Sequence, residues 1–152
     1  MGNVNYSEAA RRHQSDSEVL RQHGSVANAG QLLGFSMECG LKALLIAIGV
    51  GKDTDGSVSK APGGQPGFRL HMPMLSQRID SDIAISGVLI PDTVLAAHYL
   101  AMVPGRRSFA SWSTDHRYWG DAVFPIAELS QWKVAVAEMI RMLDQAKLDG
   151  VL

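Results

Sequence analysis

The stretch from Val26 to Gly49, VANAGQLLGFSMECGLKALLIAIG, leaves this chain the fewest choices of fold. It contains no proline, and its only charged residues are Glu38 and Lys42. Small side chains recur at Ala29, Ser36, Gly40, Ala43 and Ala47, and larger apolar ones at Leu33, Met37, Leu41, Leu44 and Ile48. Both series step by three, four or seven residues, the spacing that stacks side chains on one face of a helix. A helix apolar on two faces is buried between neighbours, and its small face admits a close partner. The remaining strip carries Gln31, Glu38 and Lys42. Glu38 precedes Lys42 by one turn, the favourable order for a helical ion pair. Exposed, such a pair contributes only about 0.3–0.5 kcal/mol, so stability alone hardly accounts for it. A solvated edge and a functional strip are both open readings of it.

The other segments follow from local signals. Asn5, with Glu8 three residues on, predicts a helix start. Gly24 predicts its end and Ser25 the cap of the next helix, giving an antiparallel hairpin. From Gly51 to Gly67 the chain reads GKDTDGSVSKAPGGQPG, which predicts a flexible loop inside one domain spanning residues 1–152. It is no phosphate loop, because Asp53 follows Gly51-Lys52 where serine or threonine is needed. It is no EF-hand either, because Gly64 stands where the closing glutamate belongs. His71-Met72-Pro73-Met74-Leu75 reads as the entry of a third helix, with Pro73 near its first turn. Thr93 to Met102 forms another apolar segment, and Ile83 to Ile90 is ambiguous between helix and strand. Pro125 opens a last helix with the stripe Ile126, Leu129, Trp132, Val136, Met139, Ile140 and Leu143. The expected fold is all-α, an up-and-down bundle of four long helices plus short ones.

Composition narrows the chemistry. A net charge of −1 argues against a broad electrostatic surface for nucleic acid or anionic membrane, while leaving room for a local basic site. The lone Cys39 cannot close an internal disulfide and reads as packing, in keeping with a reducing compartment. The five histidines include no pair three or four apart, so neither a metal nor another cofactor is expected. The polar residues of the central helix argue against a membrane span. The N-terminal MGNVNYSEAARRHQ has no apolar core of a signal peptide, and Met1-Gly2 lacks the context for myristoylation, so a cytoplasmic protein is expected.

The most unusual stretch is Gly105 to Val123, GRRSFASWSTDHRYWGDAV. Arginine offers paired donors to phosphate or carboxylate, histidine a proton near neutral pH, and aromatic rings a stacking face. Arg106, Arg107, Asp115, His116, Arg117 and Tyr118 are therefore candidate anion-binding groups, which His71, Glu38 and Lys42 would join if the helices bring them together. Alternatively, the tryptophans plug the core and the arginines pair with acids.

The central GFSMECGLKALLIAIG resembles the corresponding helix of HEPN-domain proteins. In that family a variable loop follows, then a histidine opening the next helix, as His71 does here, and later a tryptophan and an Arg-Tyr pair, like Trp112 and Arg117-Tyr118. The resemblance spans nearly the whole chain and implies a helical bundle that often forms a homodimer in prokaryotic cytoplasm. Many members cleave RNA without a metal, as toxins or defence effectors; others accompany a nucleotidyltransferase partner in toxin–antitoxin pairs or bind nucleotides. The ribonucleases carry a histidine after an arginine and four to six intervening residues. Here eight residues separate Arg107 from His116, and no arginine-histidine pair fits the pattern. The expectation is thus a module binding a nucleotide, RNA or protein partner through Glu38, Lys42, His71, Arg117 and Tyr118. The alternatives are a metal-independent endoribonuclease using His116 with Arg107 or Arg117, and a purely structural bundle.

Overall fold

A computed structural model describes residues 3–85 and 87–152 of the chain. The expectation for Met1-Gly2 lies outside them. The described residues are helical, with one isolated antiparallel bridge between Lys52 and Val58 and no strand. Five α-helices occur among them: α1 (Tyr6–Gln22), α2 (Val26–Ala47), α3 (Met74–Ala84), α4 (Thr93–Leu100) and α5 (Leu129–Leu148). Three of these are long, at 17, 22 and 20 residues, and α3 and α4 are short, at 11 and 8. The third and fourth apolar segments therefore supply less helix than a bundle of four long helices calls for. Among the described residues, no helix is long and apolar enough to cross a membrane.

Helix α1 starts at Asn5, whose side chain accepts a hydrogen bond from the Glu8 N–H at 3.1 Å. This satisfies one of the four backbone donors that a helix start leaves free. Gly24 ends it at φ +80°, a left-handed conformation that glycine takes without strain. Helix α2 then runs back along α1. The Ser17 hydroxyl donates to the Ala29 carbonyl and the Ser36 hydroxyl to the Ala10 carbonyl, both at 2.7 Å. These buried serines lock the register of the hairpin without leaving a polar group unsatisfied.

Helix α5 covers another face of α2. A Cβ on Gly40 would lie 1.8 Å from Met139 Sδ, and one on Gly30 would meet Trp132 and Phe124. Since Gly30 meets Trp132 and Gly40 meets Met139, α5 runs parallel to α2. It lies antiparallel to α1, to which the Glu18–Lys133 and Arg11–Asp144 ion pairs tie it at 3.2 and 2.6 Å. The small-residue face of α2 is thus covered within the chain at Ser36 and Gly40, while Ala43 and Ala47 line a surface pocket.

Two segments differ from their expected character. The first half of the 51–67 loop is folded down: Val58 is fully buried, Arg69 donates to its carbonyl at 2.6 Å, and the same guanidinium pairs with Asp53. Composition suggested mobility because the tethering residue, Arg69, lies beyond the loop. The region between α4 and α5 consists of successive 3-10 turns: Pro104–Ser111, Thr114–Tyr118, Asp121–Val123 and Ile126–Glu128. The last of these replaces the first turn expected for α5 at Pro125. Phe109, Trp112, His116 and Phe124 from this region are all buried.

Candidate functional site

The polar strip of α2 is not a solvated edge. Glu38 and Lys42 are one turn apart, and their side chains are each only 9% exposed. The Lys42 ammonium donates to Glu38 Oε1 at 2.7 Å and sits 5.8 Å from the centre of the Tyr6 ring. The surface value for such a pair does not apply here; removing one partner of a buried pair typically costs about 3–5 kcal/mol.

The second carboxylate oxygen of Glu38 faces His71 Nδ1 at 2.9 Å. His71 lies just ahead of α3, so the contact joins two elements 33 residues apart in sequence. A carboxylate opposite Nδ1 places the ring proton on that nitrogen. Nε2 is then left at the other edge of a side chain that is 59% exposed. The arrangement is an oriented imidazole, backed by an acid whose charge Lys42 already balances.

Phe35 belongs to the same face, three residues before Glu38. Its ring meets His71 edge-on at 6.4 Å and Trp112 at 5.5 Å, and lies 6.0 Å from His13. Burial, followed by the neighbouring Arg12, lowers the pKa of His13. Cys39 is half-buried beside them, and burial, followed by the Glu38 charge, pushes its thiol up to about 11. It therefore stays protonated at neutral pH and is no nucleophile. The sequence reading did not select Phe35, although its helical offset from Glu38 and Lys42 would have placed it.

Arg117 and Tyr118 do not join this cluster. Their 3-10 turn is fastened near the start of α2, where the Gln31 side chain donates to the Thr114 carbonyl at 3.2 Å. Gln31 and Glu38 are separated by about 10 Å of helix rise. The Arg117 guanidinium instead lies over its own neighbour, 4.7 Å from the centre of the Tyr118 ring, and both side chains are exposed.

His116 is 1% exposed and enclosed by Trp119, Phe124 and Trp132 at ring separations of 4.3, 5.7 and 6.2 Å. Burial lowers its pKa, and Nδ1 accepts the Ser113 N–H at 3.4 Å. An imidazole this deeply buried inside an aromatic cluster offers little open edge for proton transfer to a substrate. Arg107 is exposed and lies 3.7 Å from Asp80 on α3. The two groups thus serve different neighbours; Trp112, Arg106 and Arg107 match the reading in which tryptophans plug the core and arginines meet acids, whereas Arg117 lies over Tyr118 and Trp119 is exposed. The Trp112 indole supports this: it fills the space left by Gly34 and donates to the Gly30 carbonyl at 3.0 Å.

Among the described residues, no group of three or more His, Cys, Asp or Glu side chains is placed to hold a metal ion. No protein-family model, curated protein or solved structure matches the chain.

Proposed function

We propose that this chain is a HEPN-like helical module that binds a phosphate-bearing nucleotide or the end of an RNA strand at the Glu38–Lys42–His71 strip. One observation carries this reading: the exposed His71 ring, oriented by a buried carboxylate, beside the edge of Phe35. As imidazolium the ring donates from Nε2 to a phosphate oxygen while Nδ1 stays on Glu38, and the Phe35 and His13 rings offer apolar surface to a base. The family resemblance supports it too, because Glu38, Lys42 and His71 are among the residues that carry that resemblance. The same resemblance is the ground for a homodimer, for a nucleotidyltransferase-type protein partner and for a toxin–antitoxin setting. With Ser36 and Gly40 covered inside the chain, a dimer would not be built on that stretch of the small face of α2.

Binding rather than cleavage is favoured, since His116 is enclosed and Arg107 is directed to Asp80. The test is calorimetry with AMP, ATP and a short oligoribonucleotide on the wild type, His71→Ala and Arg117→Ala, with the RNA checked on a gel. His71 is well exposed, so its loss should leave folding intact while weakening binding about tenfold or more. Arg117→Ala should bind as the wild type does. Equal affinity of the wild type and His71→Ala would sink this reading, and RNA cleavage that requires His71 would replace it with a ribonuclease.

A further inference from the structure

A second cluster of charge lies where α3, α4 and the Pro104–Ser111 turns meet. A cavity of about 320 Å³ opens there, with Ile83, Ala97 and Leu100 as its apolar floor and Asp80, Arg106 and Arg107 at its rim. That volume is at the small end of ligand pockets, which begin at about 300 Å³. It suits a compact molecule rather than a polymer.

The charges at the rim are incompletely matched. Arg106 is 7% exposed, and its Nη2 donates to Asp80 Oδ1. Its Nη1 reaches the Val103 carbonyl at 3.4 Å, near the limit of a hydrogen bond. Its Nε is buried with no partner. A guanidinium presents Nε and Nη2 as one fork that takes two oxygens of a single oxyanion. Asp80 fills half of that fork and turns its other oxygen towards Arg107 Nε, 3.7 Å away. One carboxylate therefore serves two guanidinium groups. Two further acids touch these turns and both are engaged elsewhere: Glu138 on α5 accepts the Gly105 N–H at 2.9 Å, and Glu128 accepts the Ser111 hydroxyl. The Asp80 side chain is itself 35% exposed and has water to turn into.

We infer that this cavity binds a small organic oxyanion, a carboxylate or a phosphate monoester, which displaces Asp80. The charged end of the ligand occupies the Arg106 fork and reaches Arg107, and its apolar body rests on Ile83, Ala97 and Leu100. Asp80 acts as an internal stand-in that keeps the buried guanidinium paired while the site is vacant. Leaving Arg106 with no acid would be costly, which explains why an occupant from the chain is present. The site shares no residue with the Glu38–Lys42–His71 strip and does not depend on the function proposed for it.

The experiment is calorimetric titration of the full chain with hexanoate, phenyl phosphate and inorganic phosphate, comparing wild type, Asp80→Asn, Arg107→Ala and His71→Ala. Hexanoate and phenyl phosphate distinguish a carboxylate from a phosphate ligand. At least one of them should bind the wild type, and Asp80→Asn should bind it about tenfold more tightly because the competing carboxylate is gone. Arg107→Ala should bind about tenfold more weakly. It keeps the Arg106–Asp80 pair, so it tests the idea even if Asp80→Asn fails to fold. His71→Ala should be unchanged, which separates this cavity from the strip on α2. Absence of binding by the wild type, or an Arg107→Ala affinity equal to wild type, would overturn the proposal. Inorganic phosphate binding as tightly as phenyl phosphate would overturn the role given to the apolar floor.

Discussion

Replacing Glu38 by glutamine should be among the most damaging single changes on α2, and replacing Glu38 and Lys42 together should not. The carboxylate meets Lys42 at 2.7 Å and His71 at 2.9 Å, with both members of the lysine pair 9% exposed. Glu38→Gln leaves a nearly buried ammonium without its acid. Breaking such a pair costs about 3–5 kcal/mol, and the lower end applies here because the lysine stem lets its head move towards water. Lys42→Met should cost less, since Glu38 keeps His71 as a partner. In the double variant Glu38→Leu/Lys42→Met neither charge remains to be desolvated, and its stability should lie within about 1 kcal/mol of wild type. With a urea slope of about 2 kcal/mol/M, a loss of 3 kcal/mol lowers the unfolding midpoint by roughly 1.5 M. Urea unfolding of the four proteins, followed by circular dichroism, ranks them. A Glu38→Gln midpoint within error of wild type would show that water solvates the pair, and the buried-charge reasoning would fail. A double variant no more stable than Glu38→Gln would show that the loss comes from packing rather than charge.

Gly34→Ala should destabilise more than Gly40→Ala, because a Cβ at 34 would lie 1.9 Å from the rigid Trp112 indole, whereas the one at 40 meets the flexible Met139 side chain. The first should cost about 3 kcal/mol or more and the second about 1–2 kcal/mol by thermal unfolding, and the reverse order would contradict the packing described. His116 sets a pH dependence: its folded pKa lies below the ordinary 6.5, so the unfolded chain takes up the proton more readily. Its contribution is complete above pH 6.5 and lost as the pH falls through the lowered folded value, so His116→Phe should flatten the stability loss below pH 6.5. Arg69→Ala should release the first half of the 51–67 loop and increase its cleavage in limited proteolysis, since that side chain holds Asp53, Ser57 and the Val58 carbonyl; an unchanged rate of cutting would mean that Val58 alone anchors it.

What could be read in advance divides along physical lines. Helices α2 and α5 were legible because their apolar residues repeat at the helical period, and α1 because Asn5 and Gly24 mark its ends. The 3-10 turns between α4 and α5 were not, because Phe109, Trp112, His116 and Phe124 reach the core from irregular backbone that leaves no period behind. Within the candidate site, the Glu38–Lys42 contact followed from a one-turn offset on a single helix. His71 was placed with them on residue type and by the family resemblance, since no rule of spacing links residues 33 apart. Arg117 and Tyr118 were grouped with them on residue type, yet the bond from Gln31 to Thr114 fixes their turn near the other end of α2. The pairing of Arg106 with Asp80 joins separate elements, so residue type alone could anticipate only that the arginines would find acids.

Helix α2 is gripped at three places: by α1 at Ser36, by α5 at Gly40 and by the Trp112 indole at Gly34. A rod clamped in this way cannot roll or slide without opening the core, so Glu38, Lys42 and Phe35 are fixed relative to the rest of the molecule. The freedom at the strip belongs to the His71 ring, which rests on α2 through a single hydrogen bond. A ligand arriving there meets a stiff wall and one hinged group. Its capture should be a rigid-body encounter completed by the turn of an imidazole, a side-chain motion of picoseconds to nanoseconds, with no slow rearrangement of helices.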